Sequence, residues 1–408
     1  MPWYGLRCAS NQMIYHLTEV LFAFAAGFLA EYLSVAVALI PFRKLNADAH
    51  WTERARRAWA ARSLMEIGPF MFIYLLAIPG GLADDLEITA FAAFPFFLGA
   101  MLGALPGLRR VLGRRVTFPM LLAHYGVRYL LLSPAVAIFL LMLVLLQGRM
   151  LDAVSGAIML MALALAVALN LGGAVPIARR LRLLAPPSPH LEEIVKVASQ
   201  WAKVPPARCY ILNWYSANAI ALSFARALAF SAALLDLLTD EELLGVAAHE
   251  IAHLEESKSQ KLTRLSGILV LFPIFSYPVW LNTFGATGIF VAFALVLVFG
   301  RILRNFSQRM EQRADAAAAH SEGANPQTYA RALEKLYEGN LIPAVLRGKR
   351  LTHPHLYDRL LAAGTQPSYP RPQPPPRMAG FVSGMLLVLI PLGLLLLRAK
   401  VILPRLMP

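Results

Sequence analysis

Two histidines four residues apart with a glutamate beside the first, His249-Glu250-Ile251-Ala252-His253, are the residues of this chain best suited to chemistry. On a helix, positions four apart share a face, so both imidazoles can reach one ion. Glu250 lies next to the first imidazole, where a carboxylate can take a proton from water on that ion. That is the equipment for metal-assisted hydrolysis. The plainer reading is a solvated helix face that carries two histidines. A catalytic ion takes three protein ligands and keeps one position open. The elongated version of this motif has a third histidine six residues past the second, and Ser259 at that place excludes it.

A third ligand can come from further along the chain. Glu311 and Asp315, in Arg309-Met310-Glu311-Gln312-Arg313-Ala314-Asp315, again share a helix face. The spacing suits one carboxylate on the ion and another that fixes the tautomer of a ligand imidazole. A Glu-x-x-x-Asp pair alone is common on solvated helices. It gains weight here because an apolar hairpin over 265–300 separates it from the histidines, and antiparallel limbs would bring Glu311 back toward His249 and His253.

The elements that must hold these residues are legible nearby. Thr239 and Glu242 have capping-box spacing, so a helix should open there and run through His253 to about Gln260. Before it, Cys209–Leu212, Asn218–Phe224 and Ala227–Ala232 read as short strands of a small sheet.

The rest of the chain is built for a bilayer. Of 408 residues, 58% are hydrophobic and 15% charged, too little polar surface for a water-soluble body. Apolar stretches near the ~20 residues needed to span hydrocarbon fall at 17–41, 67–83, 88–108, 129–147, 153–175, 266–283, 285–300 and 379–397. Seven or eight spans are expected, the sixth and seventh forming one hairpin around Leu281-Asn282-Thr283. The first stretch lacks a basic leader and reads as a retained span rather than a removable signal. Arg43, Lys44, Arg54, Arg56, Arg57 and Arg62 crowd the 42–66 loop, and Arg109, Arg110, Arg114, Arg115 and Arg128 the 109–128 loop. Basic loops face the cytoplasm, which places 176–264 and 301–377 there too. The +14 net charge is then orientation charge and lipid contact rather than a nucleic-acid patch. Arginine over lysine, with abundant alanine and leucine, suits a bacterial inner membrane. Two cysteines, Cys8 and Cys209, exclude a disulfide scaffold and a thiolate zinc site.

The expected organisation is a membrane region over 1–175, the first part of a peptidase domain over 176–264, the hairpin over 265–300, and the domain's second part over 301–365. A Pro-rich linker over 366–377 and a last span with its tail over 378–408 complete it.

His-Glu-Ile-Ala-His, Glu311-Gln312-Arg313-Ala314-Asp315 and Thr352-His353-Pro354-His355-Leu356-Tyr357-Asp358-Arg359 together resemble family forty-eight of the metallopeptidases. Its members are integral-membrane gluzincins and include the type I CAAX prenyl proteases and the HtpX heat-shock proteases. Asn218-Ala219 and Leu234–Leu243 also follow its pattern, so the resemblance covers about 205–362. It implies a mainly helical multispan protein with a cytoplasm-facing zincin domain and a small sheet. It further implies one zinc ion on His249, His253 and Glu311, Glu250 as general base, and Asp315 as partner of a ligand histidine. By the same resemblance, Asn218 and Ala219 lie on the strand that holds substrate backbone, and His353 and Arg359 stabilise the oxyanion. Substrates would be peptides or membrane proteins, either in quality control or in trimming of C-terminal peptides. The oligomeric state stays open. A reading from another class is a transporter or scaffold with a structural metal, which would need a fourth protein ligand.

Other candidates have plainer explanations. His320 and His355 read as surface residues, Glu255 and Glu256 as a solvated helix face, and His16, His50, His124 and His190 as loop or interface residues. Glu31, inside the first span, is costly in hydrocarbon and reads equally as functional or as interior packing. Gly99-x-x-x-Gly103-x-x-x-Gly107 reads as a helix-packing stripe.

Overall fold

The computed structural model describes residues 3–46, 48–77, 86–320, 323–347 and 354–397. They form two compact units, 1–118 with 375–408, and 119–374. Residues 119–175, grouped by hydropathy with the N-terminal spans, thus pack in the unit that carries the metal-site residues.

In the first unit, α1 (Trp3–Ala38) packs on α2 (Trp51–Ala77) and α3 (Leu86–Leu112). Gly27 of α1 and Gly99 and Gly103 of α3 let these two backbones touch. A methyl group at Gly27 would strike the Phe96 carbonyl, and one at Gly99 the Phe24 carbonyl. The glycine stripe is therefore packing, as small residues permit between helices in lipid. Glu31 is fully buried in this unit, with its carboxylate against Gly68. We expect Gly99→Ala to force α1 and α3 apart and to cost about 1–3 kcal/mol. A melting curve of the detergent-solubilised protein should drop by several degrees, and an unchanged curve would refute the close crossing.

The second unit opens with α4 (Phe118–Val127), a π-helical turn (Arg128–Leu132) and α5 (Pro134–Leu145), bent by 93°. The apolar α6 (Ala153–Ala168) follows and ends in a second π-helical turn (Leu169–Gly173). A polar body comes next. Strands β1 (Leu184–Ala185), β2 (Arg208–Leu212), β3 (Ala219–Leu222) and β4 (Ala227–Ser231) form a mixed sheet in the order β1-β2-β4-β3. β4 runs parallel to β2 and antiparallel to β3, and β3 is an edge. The three expected strands are present. β1, only two residues long, carries too little pattern to be seen in sequence.

Behind the sheet lie α7 (Pro189–Trp201) and α8 (Asp240–Leu254). Leu191, Ile194, Val195 and Ala198 of α7 pack with Leu243, Val246, Ala247, Ile251 and Leu254 of α8, and Leu228 and Phe230 of β4 close the same core. The Thr239–Glu242 capping box forms in full, with Asp240, Glu241 and Glu242 at the positive end of the helix. The helix does not reach Gln260. It stops at Leu254 because Ser257 and Gln260 cap a new helix, α9 (Lys258–Leu265): the Ser257 amide donates to Gln260 Oε1 and the Gln260 amide to Ser257 Oγ. Lys261 Nζ donates to the Leu254 carbonyl at 2.8 Å and satisfies the helix end.

The hairpin follows as α10 (Gly267–Phe275) and α11 (Tyr277–His320). Gly285 breaks α11 at φ 59°, a conformation glycine adopts freely, so the turn lies just past the expected Leu281–Thr283. The Asn282 and Thr283 side chains bond the backbone of Arg149 and Leu151, tying the hairpin tip to the loop before α6. After α11 come α12 (Pro326–Gly339) and α13 (Leu356–Ala362), and the chain returns to the first unit as α14 (Arg377–Leu397).

The chain is mainly helical with a small mixed sheet and several apolar helices. Among the described residues, three helical stretches are long and apolar enough to cross a membrane: Val20–Ala38, Ala153–Arg180 and Tyr277–His320. The bent pair makes a fourth if it is one span. Breaks at Ser133 and Ser276 divide apolar sequence into shorter helices, whereas Gly285 kinks α11 without ending it. Part of the expected 67–83 span lies outside the described residues.

Candidate active site

The capped helix α8 presents His249 and His253 on its buried face, and the downward limb of α11 brings Glu311 against them. One ligand atom from each lies within 4.8 Å of the other two. Glu311 Oε2 stands 3.7 Å from His249 Nε2, and Oε1 stands 3.5 Å from His253 Nε2. Both separations exceed a hydrogen bond. They match two donors on one ion, which at ~2.0–2.1 Å bonds and tetrahedral angles stand ~3.4 Å apart. The hairpin thus does what its antiparallel limbs imply: it closes a gap of 58 residues between His253 and Glu311.

Behind each histidine stands a partner that aims it. His249 Nδ1 lies 2.9 Å from Tyr329 Oη and 3.2 Å from Asp315 Oδ1. Tyr329 donates its hydroxyl to Asp315 Oδ1 at 2.8 Å. Arg359 completes the cluster, Nε donating to Asp315 Oδ2 at 2.8 Å and Nη2 to Oδ1 at 2.6 Å. The consistent proton pattern has His249 Nδ1–H donating to this pair, which leaves Nε2 with a lone pair for an ion. Burial works to raise the Asp315 carboxyl, but the His249 hydrogen bond and the Arg359 charge outweigh it and hold the group well below the usual range. Burial also raises the Tyr329 phenol far above its ordinary value, so it remains a hydroxyl donor. On the other histidine, Nδ1 lies 3.0 Å from Glu256 Oε1, and Ser223 Oγ donates to the His253 carbonyl.

Three of these partners differ from what sequence suggests. Glu256, read as part of a solvated face, is only 4% exposed, because the chain turns inward where α8 ends. Its signal was its position three residues past His253, on the same side of a helical turn. Tyr329 carries no motif. It sits on α12 just ahead of buried Ala330, Ala332 and Leu333 and reads as core, and Gly245 on α8 makes room for its ring. Arg359, expected to face a developing oxyanion, lines the cleft but spends two of its nitrogens on Asp315.

The ligands open onto a cleft of about 540 Å³ whose lining includes Glu250, Asn218, Ala219 and Ala221. β3 borders it as the sheet edge. The Asn218 carbonyl accepts the Ser231 amide, so by the alternation of antiparallel pairing the N–H and C=O groups of Ala219 and Ala221 point away from β4. Asn340 fixes the approach to this edge, its amide bonding both the N–H and the C=O of Ala217. His355, read as a surface residue, is half-buried in the cleft wall and accepts the Leu346 amide. His124, read as a loop or interface residue, is buried among Tyr125, Trp214 and Tyr215. His320 is exposed. His353 lies outside the described residues. Cys209 is no alternative nucleophile: burial pushes its thiol up to about 11.

Tyr329→Phe should weaken metal binding or turnover roughly 10- to 100-fold, the usual cost of removing a partner that orients a ligand. Competition against a chromogenic chelator measures the first. Wild-type affinity together with wild-type turnover would show that Tyr329 is only core.

Residues 187–365 match peptidase family M48. Protease HtpX of Actinobacillus pleuropneumoniae is 30% identical over 204 residues, covering 42% of this chain and 70% of that protein. Protease HtpX of Legionella pneumophila is 30% identical over 37% of this chain and 59% of its own length, and a protease HtpX homolog of Nostoc punctiforme 32% identical over 36% and 57%. With its paired histidines, its returning glutamate and this extent of similarity, the chain belongs to peptidase family M48 and is a metalloprotease.

Proposed function

We propose that the protein is a zinc-dependent integral-membrane endopeptidase whose cleft faces the cytoplasm of a bacterial inner membrane. The observation that carries this is the convergence of His249, His253 and Glu311 beside Glu250, in a cleft bordered by an exposed strand edge. Two imidazole nitrogens and one carboxylate, with each imidazole backed by an acceptor, suit zinc. When bound, the ion supplies Lewis acidity to the scissile carbonyl and to the attacking water.

The chain's own residues do the rest. Ala219 and Ala221 hold the substrate backbone as an added strand, with Asn218 at its start. Glu250, half-buried at the cleft wall, takes the proton of the attacking water and returns it to the leaving amine. Tyr329 and Asp315 keep His249 in the liganding tautomer, and Glu256 does the same for His253. Arg359 acts first through Asp315, leaving His353 as the donor proposed for the carbonyl oxygen in the tetrahedral state.

Orientation rests on the basic 42–66 and 109–128 loops. The hairpin tip, bonded to the loop before α6, supports it by putting those two turns at one end of the apolar helices. Substrates are peptides or membrane proteins, in quality control or C-terminal trimming. A proteome-wide comparison of protein termini in membranes with wild-type and Glu250→Gln protein separates the two by where the cleaved bonds lie. A transporter or scaffold with a structural ion would require a fourth protein ligand, and the cluster found among the described residues has three.

Chelation tests the proposal. A strong chelator should abolish cleavage of an unfolded protein substrate, and about one equivalent of zinc should restore it. Cleavage that survives complete metal removal would refute it.

A further inference from the structure

A second cavity, of about 300 Å³, lies beyond the turn of the β3–β4 hairpin. It shares Leu132 and Ala221 with the catalytic cleft, so the two spaces adjoin at the strand edge. Its size is at the lower end of ligand-binding pockets. Two features mark it as built rather than left over.

The first is its origin in broken helices. Both π-helical turns of this unit, Arg128–Leu132 and Leu169–Gly173, contribute to its wall. Gly172 sits there at φ 110°, where other residues are strained. Such turns cost regular hydrogen bonding and cluster at functional positions. The second is the chemistry of the lining. Leu131, Val175, Ile268 and Leu271 supply apolar surface. Three of the four polar side chains that reach it are turned onto the protein, the fourth being Ser133: Lys261 donates to the Leu254 carbonyl, Asn170 to the Ala166 carbonyl and Ser223 to the His253 carbonyl. Most of the lining is apolar, so an apolar guest gains by leaving water.

We infer that this cavity is a substrate subsite for a large apolar side chain, leucine-sized or aromatic, two to four residues from the scissile bond. The inference rests on the peptidase reading above. A peptide paired to the β3 edge at Ala219 reaches Leu222 after three residues, about 10 Å at ~3.3 Å per residue, and Leu222 lines the cavity. The occupant is therefore the continuation of the same peptide. The cavity would favour peptides that present a large apolar side chain at that position over those that present a polar one there.

Gly267 provides the handle. It lines the cavity, and a Cβ there meets only Leu303 at ordinary van der Waals distance. The experiment is to digest a proteome-derived peptide library with full-length wild-type, Gly267→Leu, Leu271→Ala and Glu250→Gln proteins. The wild type should select large apolar residues at one position two to four from the cut. Gly267→Leu should slow those peptides roughly 10- to 100-fold and spare peptides with alanine there, while Leu271→Ala should shift preference to larger residues. A photo-crosslinking peptide with benzophenone at that position, bound to the Glu250→Gln protein, should label 169–175 or 265–271 even if Gly267→Leu fails to fold. Cleavage that depends on Glu250 but has a flat profile, with crosslinks elsewhere, overturns the subsite and leaves the peptidase standing. An acyl chain of a lipid in the cavity would give that same flat profile. No Glu250-dependent cleavage at all overturns both.

Discussion

Replacing Glu250 by glutamine should leave one equivalent of metal in place and lower peptide hydrolysis by about two to four orders of magnitude. The amide keeps the shape of the carboxylate but cannot take a proton from water. Glu250 is not among the three convergent donors, lines the cleft beside them and is half-buried. Its loss should therefore touch turnover and not metal content. Single-turnover cleavage of a fluorogenic peptide, paired with metal analysis of the same sample, makes the measurement. Normal turnover would remove Glu250 from the chemistry. Loss of metal would mean that it supports the ion.

Glu311→Ala should give the opposite pattern, with metal affinity falling by more than about 100-fold and activity falling with it. Removing a residue that merely orients a ligand already costs 10- to 100-fold, and Glu311 stands 3.5–3.7 Å from both imidazoles as a donor in its own right. Without its carboxylate, two histidines on one helix remain, a weak site for any divalent ion. Titration of the metal-stripped protein with zinc checks this, using an indicator of known affinity. Retention of stoichiometric tight zinc would show that another group, not Glu311, is the third ligand. The two variants thus separate proton transfer from metal binding within one cleft.

What the sequence reveals of this site follows the range of the interactions involved. The histidine pair and its capping box are local, fixed by helical period within fifteen residues, and their helix forms as that period requires. Glu311 is distant in the chain, but an apolar hairpin leaves one way for the chain to return, so its arrival beside the histidines is a matter of topology. Tyr329 is 80 residues from the histidine it touches and belongs to no pattern. Its role depends on the docking of α12 against Gly245, which no periodicity records. Glu256 was hidden by a different error, a helix extended six residues too far. Once Ser257 and Gln260 cap a new helix, the glutamate before them faces inward. Helix breaks are hidden for a related reason. Hydropathy registers apolar sequence but not breaks such as Ser133, Ser276 and Gly285, and the first of these lines the cavity beside the cleft.

Zinc-edge anomalous diffraction from crystals of the full-length protein tests the metal centre most directly. One peak is expected, ~2.0–2.2 Å from His249 Nε2, His253 Nε2 and a Glu311 oxygen, with its fourth position open to the cleft beside Glu250. A peak held by four protein groups, or a fully loaded protein with no peak between these three residues, would contradict the account.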